Sequence, residues 1–336
     1  MTAHFSPMTM KAALLVNDGE PLQLMDVPIP ELRPGHVKVR VAAAGLNPLD
    51  TKIRAGKALH AQHPLPAVLG IDLAGTVEAI AEDVTTFAPG DTVFGMTGGV
   101  GGVQGALAQF AIVDVALLAN APSSFSAREA AATPLVFITA WEGLVDRAGV
   151  KSGQRVLIHG GAGGVGHMAV QIAHAFGAQV FATGNDTQRN YIESLGATFI
   201  DYRAQAVDDY VAQHTDGEGF DIIFDTVGGT TLDDSFRAAR RYHGHVVSAL
   251  GWGTHSLAPL SFRAATYSGV FTLLPLITGR DRAHHGHIMK QAERLANEGK
   301  LNIRLDPHAF SLSAAEEAYQ FLESGDAQGK VVVDVQ

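Results

Sequence analysis

Three glycines, Gly161, Gly163 and Gly166, follow the apolar run Arg155 to Gly160 and open a helical stretch, in the spacing G-x-G-x-x-G. Between a strand and a helix, glycine permits a tight turn and lets the backbone approach a pyrophosphate, whose charge then rests on the helix's first amides. The bland alternative is a glycine-rich turn that binds nothing. The next strand, Ala178 to Thr183, runs into Gly184 and Asn185. That point lies about 20 residues past the fingerprint, where an NAD site carries Asp or Glu for the ribose 2′-hydroxyl. No carboxylate stands there to repel a 2′-phosphate, so NADP(H) is expected over NAD(H). Arg189 follows, and reads either as a partner for that phosphate or as a solvated helix residue, with Asp186 as a cap for the helix.

Other reactive residue types are scarce or badly spaced. There are no cysteines, which excludes disulfides, thiolate nucleophiles and thiolate-bound metal. Of the fifteen histidines, the densest group is His284, His285 and His287; it has neither a nearby carboxylate nor an i, i+4 pair and reads as a solvated loop or helix start. His159, just before the glycine turn, reads as a packing residue. A second glycine set, Met96 to Phe110, has no long helix after it and reads as a flexible loop without a cofactor role.

These groups need two scaffolds. Short β-like runs such as Val37 to Gly45, Leu73 to Ile80 and Asp91 to Gly95, separated by turn signals, mark an irregular, largely β domain. From about Ala121, strands at Arg155 to Gly160, Ala178 to Thr183, Phe220 to Thr226 and His245 to Leu250 alternate with helical stretches. That is the pattern of βαβ units and a parallel sheet, an α/β doubly wound fold. The expected cofactor domain covers 122–276, and a catalytic domain covers 1–121 with 277–336. The last part carries helices around Ile288 to Glu298 and Ala314 to Ser324 and a closing strand. With 336 residues, 46% of them hydrophobic, the chain can fill two cores. A net charge of -10 without a basic cluster argues against nucleic acid or an anionic membrane surface, and favours a small-molecule partner. No window approaches the roughly 18 apolar residues of a membrane span. The start, "MTAHFSPMTM", lacks a basic stretch before an apolar one, so a cytoplasmic location is expected.

Six segments follow one another in a telling order: "GLNPLDTKIRAG" (Gly45 to Gly56), "VLGIDLAGTVEAI", "FAPGDTVFG", "TPLVFITAWEGL", "FDIIFDTVGG" and "GKVVVDV". Together they resemble the medium-chain dehydrogenase/reductase superfamily over essentially the whole chain, and within it the zinc-independent quinone oxidoreductase and zeta-crystallin branch. The resemblance implies a Rossmann domain beside a GroES-like catalytic domain, NADPH as cofactor, and a homodimer joined edge to edge through the cofactor-domain sheets. Zinc-dependent relatives hold their catalytic metal with a Cys where this chain has Asn47, a His where it has Ile71, and a further Cys. Neither Asn nor Ile replaces thiolate or imidazole, so no metal site is expected.

By matched position, the resemblance places Asn47 and Asp50 toward substrate and nicotinamide, with a simple Asn-Pro turn as the alternative, and Thr139 on the nicotinamide side. Trp141 stands where the family more often has Tyr. Gly163, Gly164 and Val165 meet the pyrophosphate; Gly184, Arg189 and Tyr202 surround the adenosine 2′-phosphate; Thr226, Val227, Ala249, Leu250 and Gly251 line the nicotinamide riboside; Lys330 is a basic cofactor contact. Gly269 to Gly279 matches a segment that pairs subunits and borders the substrate, or is plain core. Trp252, Phe271 and Leu274, with Trp141, are expected in an apolar acceptor pocket. The implied reaction is metal-free hydride transfer to a quinone or α,β-unsaturated carbonyl, whose developing oxyanion needs only hydrogen bonds. Two alternatives are an enoyl or alkenal reductase with a pathway-specific substrate and a non-catalytic NADPH-binding protein serving as sensor or crystallin.

Overall fold

The computed structural model describes residues 8–336; Met1 to Pro7, part of the start read above for a leader, lie outside them. The chain forms two compact units, one made of the residues up to Leu135 with Leu273–Gln336, the other of Val136–Thr272.

The first unit begins with β1 (Thr9–Leu15), β2 (Gln23–Pro28), β3 (His36–Gly45), α1 (Pro48–Arg54), β4 (Ala67–Val68), β5 (Asp72–Ile80), β6 (Thr92–Met96), β7 (Phe110–Asp114), β8 (Ala119–Asn120) and α2 (Ala127–Ala131). In β3, buried Val37, Val39 and Val41 alternate with Lys38 and Arg40, the period of a strand with one face on a core. Its last residue is glycine for a steric reason: a Cβ on Gly45 would lie 2.1 Å from the carbonyl oxygen of Ala131 in α2. Because α2 packs on β3 and β5, the first unit runs past the expected boundary at 121.

Helix α3 (Pro134–Trp141) leads into the second unit. There follow β9 (Arg155–His159), α4 (Gly164–Ala175), β10 (Gln179–Gly184), α5 (Arg189–Ser194), β11 (Thr198–Asp201), α6 (Val207–Thr215), β12 (Ile222–Asp225), α7 (Thr230–Ala238), β13 (His245–Ser248), α8 (Ala258–Ser261) and β14 (Thr266–Gly269). The six strands are parallel in the order β11-β10-β9-β12-β13-β14. This is the doubly wound order, whose reversal between β9 and β12 makes a crevice at the strands' carboxyl ends. The strands are continuous apolar runs, as in Val156, Leu157 and Ile158, because helices cover both faces.

The chain then returns to the first unit as α9 (Leu274–Thr278), α10 (Arg282–Asn297), β15 (Phe310–Ser311), α11 (Ala315–Ser324) and β16 (Val332–Asp334). Strand β16 pairs antiparallel with β3 and extends the sheet β15-β16-β3-β5-β6-β8.

Two readings of local sequence are corrected. The glycines between Met96 and Phe110 form a packed turn, not a flexible loop: a Cβ would fall 1.9 Å from the Gln104 carbonyl oxygen at Gly98 and 2.2 Å from that of Leu69 at Gly105. Close backbone approach explains them. His284, His285 and His287 do lie in the first turns of α10, yet His285 is fully buried, and Gly286 lets the helix lie against the Ala116 carbonyl.

Candidate active site

At the end of β3 the chain turns through Leu46 and Asn47 into α1. Pro48 opens the helix, and the Asp50 carboxylate accepts the Asn47 backbone N–H at 2.8 Å. Asn47 is 1% exposed, and its carboxamide is held at both ends. Lys330, just before β16, donates from Nζ to Asn47 Oδ1 and, at 2.9 Å, to the Leu46 carbonyl. Asn47 Nδ2 donates to Asp72 Oδ2 at 2.9 Å. Asp72, the first residue of β5, lies opposite Gly45, and its other oxygen accepts the Leu135 N–H of α3 at 2.9 Å. Thus two carboxyl groups, one ammonium and one carboxamide are buried together. Desolvation pushes both Asp50 and Asp72 up to about 7, and draws Lys330 below the ordinary lysine range.

In the second unit β9 ends at His159, and the turn Gly160 to Gly163 leads into α4. The glycines are forced: a Cβ on Gly166 would lie 2.0 Å from the Gly160 carbonyl oxygen, and one on Gly161 2.6 Å from the Ala182 Cβ. With Gly163 as N-cap, no side chain covers the first amides of α4, which include those of Gly164 and Val165. A dinucleotide's pyrophosphate fits this cradle. At the end of β10, a Cβ on Gly184 would lie 2.5 Å from Ile192 Cδ1 and 3.0 Å from Gln188 Oε1, so a larger residue there requires those side chains to move. Tyr202 is exposed beside Gly184, its N–H 3.4 Å from that carbonyl.

Other expected site residues fall out unevenly. Arg189 is tied to Asp186 at 3.1 Å and Glu193 at 3.8 Å, and lies over the Phe199 ring at 4.3 Å, so its charge is largely spent locally. Trp141 is buried between Phe137 and Phe176, with ring centroids 5.7 Å from each, and its indole packs in the core instead of lining an open pocket. Thr139, two residues earlier in α3, is buried as well. Trp252 and Phe271 are partly exposed and meet edge to face at 6.5 Å; Leu274 is exposed at the start of α9. Lys330, expected against the cofactor, has its ammonium on Asn47.

Three residues were missed. Asp72 lies in the quoted G-x-D-x-x-G turn. Asp225, fully buried at the end of β12, organises two loops: it accepts the N–H groups of Val227 and Gly228 at 3.0 and 2.9 Å and the Ser248 hydroxyl at 2.7 Å, and Ser248 Oγ in turn accepts the Leu250 N–H. The Thr226 hydroxyl donates to the His159 carbonyl at 2.6 Å, and the Ala249 N–H to the Asp225 carbonyl, so the turns at Thr226 to Val227 and Ala249 to Gly251 hang from one strand end. Arg203, whose guanidinium lies 5.7 Å from the Tyr202 ring centre, carries no ion pair among the described contacts. Its signal was its place beside Tyr202.

Residues 33–123 match the alcohol dehydrogenase GroES-like domain, and residues 195–333 match the zinc-binding dehydrogenase family. The chain is 34% identical over 316 residues to the 2-methylene-furan-3-one reductase of Solanum lycopersicum, covering 92% of this chain and 74% of that one. It is 32% identical, with the same coverage, to the chloroplastic NADPH-dependent alkenal/one oxidoreductase of Arabidopsis thaliana. Among solved structures, an alcohol dehydrogenase superfamily protein from Novosphingobium aromaticivorans superposes with a TM-score of 0.95 at 54% identity, covering 98% of this chain and all of that one. The quinone oxidoreductase of Coxiella burnetii superposes with a TM-score of 0.81 at 29% identity, over 98% and 100%.

The zinc that the second of these families implies does not fit the residues here. The Asn47 carboxamide is already occupied by an ammonium and a carboxylate, and buried Ile71 has no donor atom. Among the described residues no group of three or more His, Cys, Asp or Glu is placed to hold a metal ion, and no helix is long and apolar enough to cross a membrane.

Proposed function

The chain belongs to the medium-chain dehydrogenase/reductase superfamily and is an oxidoreductase that uses a nicotinamide cofactor, and from that premise we propose that it reduces quinones or α,β-unsaturated carbonyls with NADPH, without a metal. The observation that carries this reading is the Asn47 cluster, which offers an oxyanion a hydrogen-bond donor and in which the Asn47 carboxamide and the Asp72 carboxylate are engaged with each other and with their neighbours instead of standing as a metal-ligand set. An electron-poor acceptor needs no more than that. The activities of the Solanum lycopersicum, Arabidopsis thaliana and Coxiella burnetii relatives support the acceptor class, and that of the Arabidopsis protein supports NADPH.

When bound, the dinucleotide supplies the hydride. The first amides of α4, with Gly163, Gly164 and Val165, receive the pyrophosphate. Tyr202 and Arg203 face the 2′-phosphate, with Arg189 secondary because Asp186 and Glu193 hold it. Thr226, Val227, Ala249, Leu250 and Gly251, fixed by Asp225, line the riboside, and Thr139 the nicotinamide. Asn47 donates to the acceptor oxygen. Strand β14 is an open sheet edge flanked by exposed Tyr242 and Phe262, which supports a homodimer through that edge. Sedimentation at micromolar concentration tests that assembly, and a monomer refutes it.

The test of function is loss of NADPH absorbance with a panel of quinones and enones, repeated with NADH and with a chelator. Fast, chelator-insensitive loss, slower with NADH, is expected. Turnover of alcohols only with added zinc overturns the reading.

A further inference from the structure

We infer that Asp72 is the positioning residue of this site: with Lys330 it locks the Asn47 carboxamide in one orientation and so fixes the direction of its second side-chain N–H, the one that would meet the substrate oxygen. The inference rests on the reductase reading above.

Asn47 is the N-cap of α1, where an Asn side chain ordinarily accepts the amide of the second or third helical residue and contributes about 1 kcal/mol. That bond is absent; the Asp50 N–H goes to the Asn47 backbone carbonyl at 2.9 Å instead. The carboxamide is turned away from its own helix toward partners 25 and 283 residues away. Lys330 has only donors, so it fixes which end of the amide is oxygen. Asp72 has only acceptors when ionised and takes one of the two Nδ2 hydrogens. Its other oxygen is pinned by the Leu135 N–H, so the carboxylate cannot swing away. An ammonium on the amide oxygen strengthens the remaining N–H as a donor, because bonded dipoles polarise one another.

The charges agree. Asp72 uses both oxygens, whereas Asp50 uses Oδ2 and leaves the buried Oδ1 without a partner among the described residues. The carboxyl with an empty oxygen is the cheaper one to keep neutral, so the cluster holds ionised Asp72, charged Lys330 and a protonated Asp50. Burial and the Asp72 charge both push Asp50 up, to about 7. From α11 Tyr319 faces Asp50, its hydroxyl kept neutral by burial; Arg54 of α1, with Glu316 and Glu323 of α11, completes the surrounding charges.

Two readouts test this. Infrared spectra of the ligand-free protein at neutral pH are expected to contain a buried carboxylic-acid band that disappears in Asp50→Asn. It disappears in Asp72→Asn as well, because Asp50 then becomes the only counter-ion of Lys330 and ionises. In turnover with NADPH and a quinone, Asp72→Asn is expected to lower kcat about a hundredfold, the scale of one lost oxyanion donor, with KM for NADPH unchanged. An amide at position 72 cannot accept from both Asn47 and Leu135, so Asn47 loses its fixed orientation. A folded Asp72→Asn protein with wild-type kcat overturns the inference, as does a wild type lacking a band that Asp50→Asn removes; the latter comparison stands even if Asp72→Asn does not fold. Wild-type protein inert toward every quinone and enone counts against the reductase reading, and the infrared spectra then judge the cluster separately.

Discussion

Replacing Gly166 by alanine perturbs the cofactor cradle at its tightest point. The new Cβ would lie 2.0 Å from the Gly160 carbonyl oxygen, 2.8 Å from its carbon and 3.1 Å from the Gly161 Cα. All three are backbone atoms at the end of β9, so no rotamer relieves the clash. Against a comfortable separation of about 3.5 Å, the start of α4 must retreat by roughly 1.5 Å. Overpacking of this kind costs about 1–3 kcal/mol, and the better helix propensity of alanine offsets up to about 1 of it. The effect on binding is larger than the effect on stability, because the retreating amides are those that face the pyrophosphate. Losing one charge-assisted hydrogen bond there costs about 1.5–3 kcal/mol, or roughly a ten- to hundredfold rise in Kd. Gly163→Ala is the control: its Cβ meets only the Gly160 oxygen, at 3.2 Å, and is expected to cost much less stability. NADPH fluorescence titration and thermal unfolding of both variants read these quantities. A Gly166→Ala protein with wild-type Kd would refute the cradle assignment.

Further outcomes follow from the buried charges and from the adenosine end. Lys330→Met leaves Asp72 and Asp50 without a cation and is expected to cost about 3–5 kcal/mol at neutral pH. The cost shrinks in mild acid, since carboxyls whose folded pKa is raised penalise the native state only as pH climbs above the unfolded value of 3.8; urea unfolding at two pH values checks this. Burial holds His159 neutral down to about 4, against 6.5 unfolded, so the unfolded chain takes up the proton first as pH falls. Wild-type stability should therefore drop by at most about 3 kcal/mol across that window relative to His159→Gln, and parallel pH profiles would contradict it. Arg203→Ala is expected to raise KM for NADPH about tenfold and leave that for NADH unchanged, with Arg189→Ala milder because of its two carboxylate partners; equal effects on both cofactors would count against a 2′-phosphate role.

The doubly wound sheet was legible because its signals are local: apolar runs, a glycine turn and a strand end without a carboxylate all lie within thirty residues of one another. The Asn47 cluster was only half legible. Asn47 and Asp50 stand three apart on one turn, but the partners that give Asn47 its orientation come from the start of β5 and the approach to β16, and no spacing rule joins them. Glycine misled at Met96 to Phe110, since the same residue serves a flexible loop and a backbone pressed against another backbone; only the neighbours decide. Trp141 reads as a pocket residue by position, yet helix α3 turns it onto Phe137 and Phe176.

The central claim is a direct hydride transfer to an activated double bond. Chelator-treated protein, NADPH deuterated at its transferable position and a simple enone, with the product examined by NMR, test it most directly. Deuterium on the β-carbon and a solvent-derived proton on the α-carbon are the predicted result. Unlabelled product, reduction of the carbonyl to an alcohol, or turnover that returns only with added zinc would contradict it.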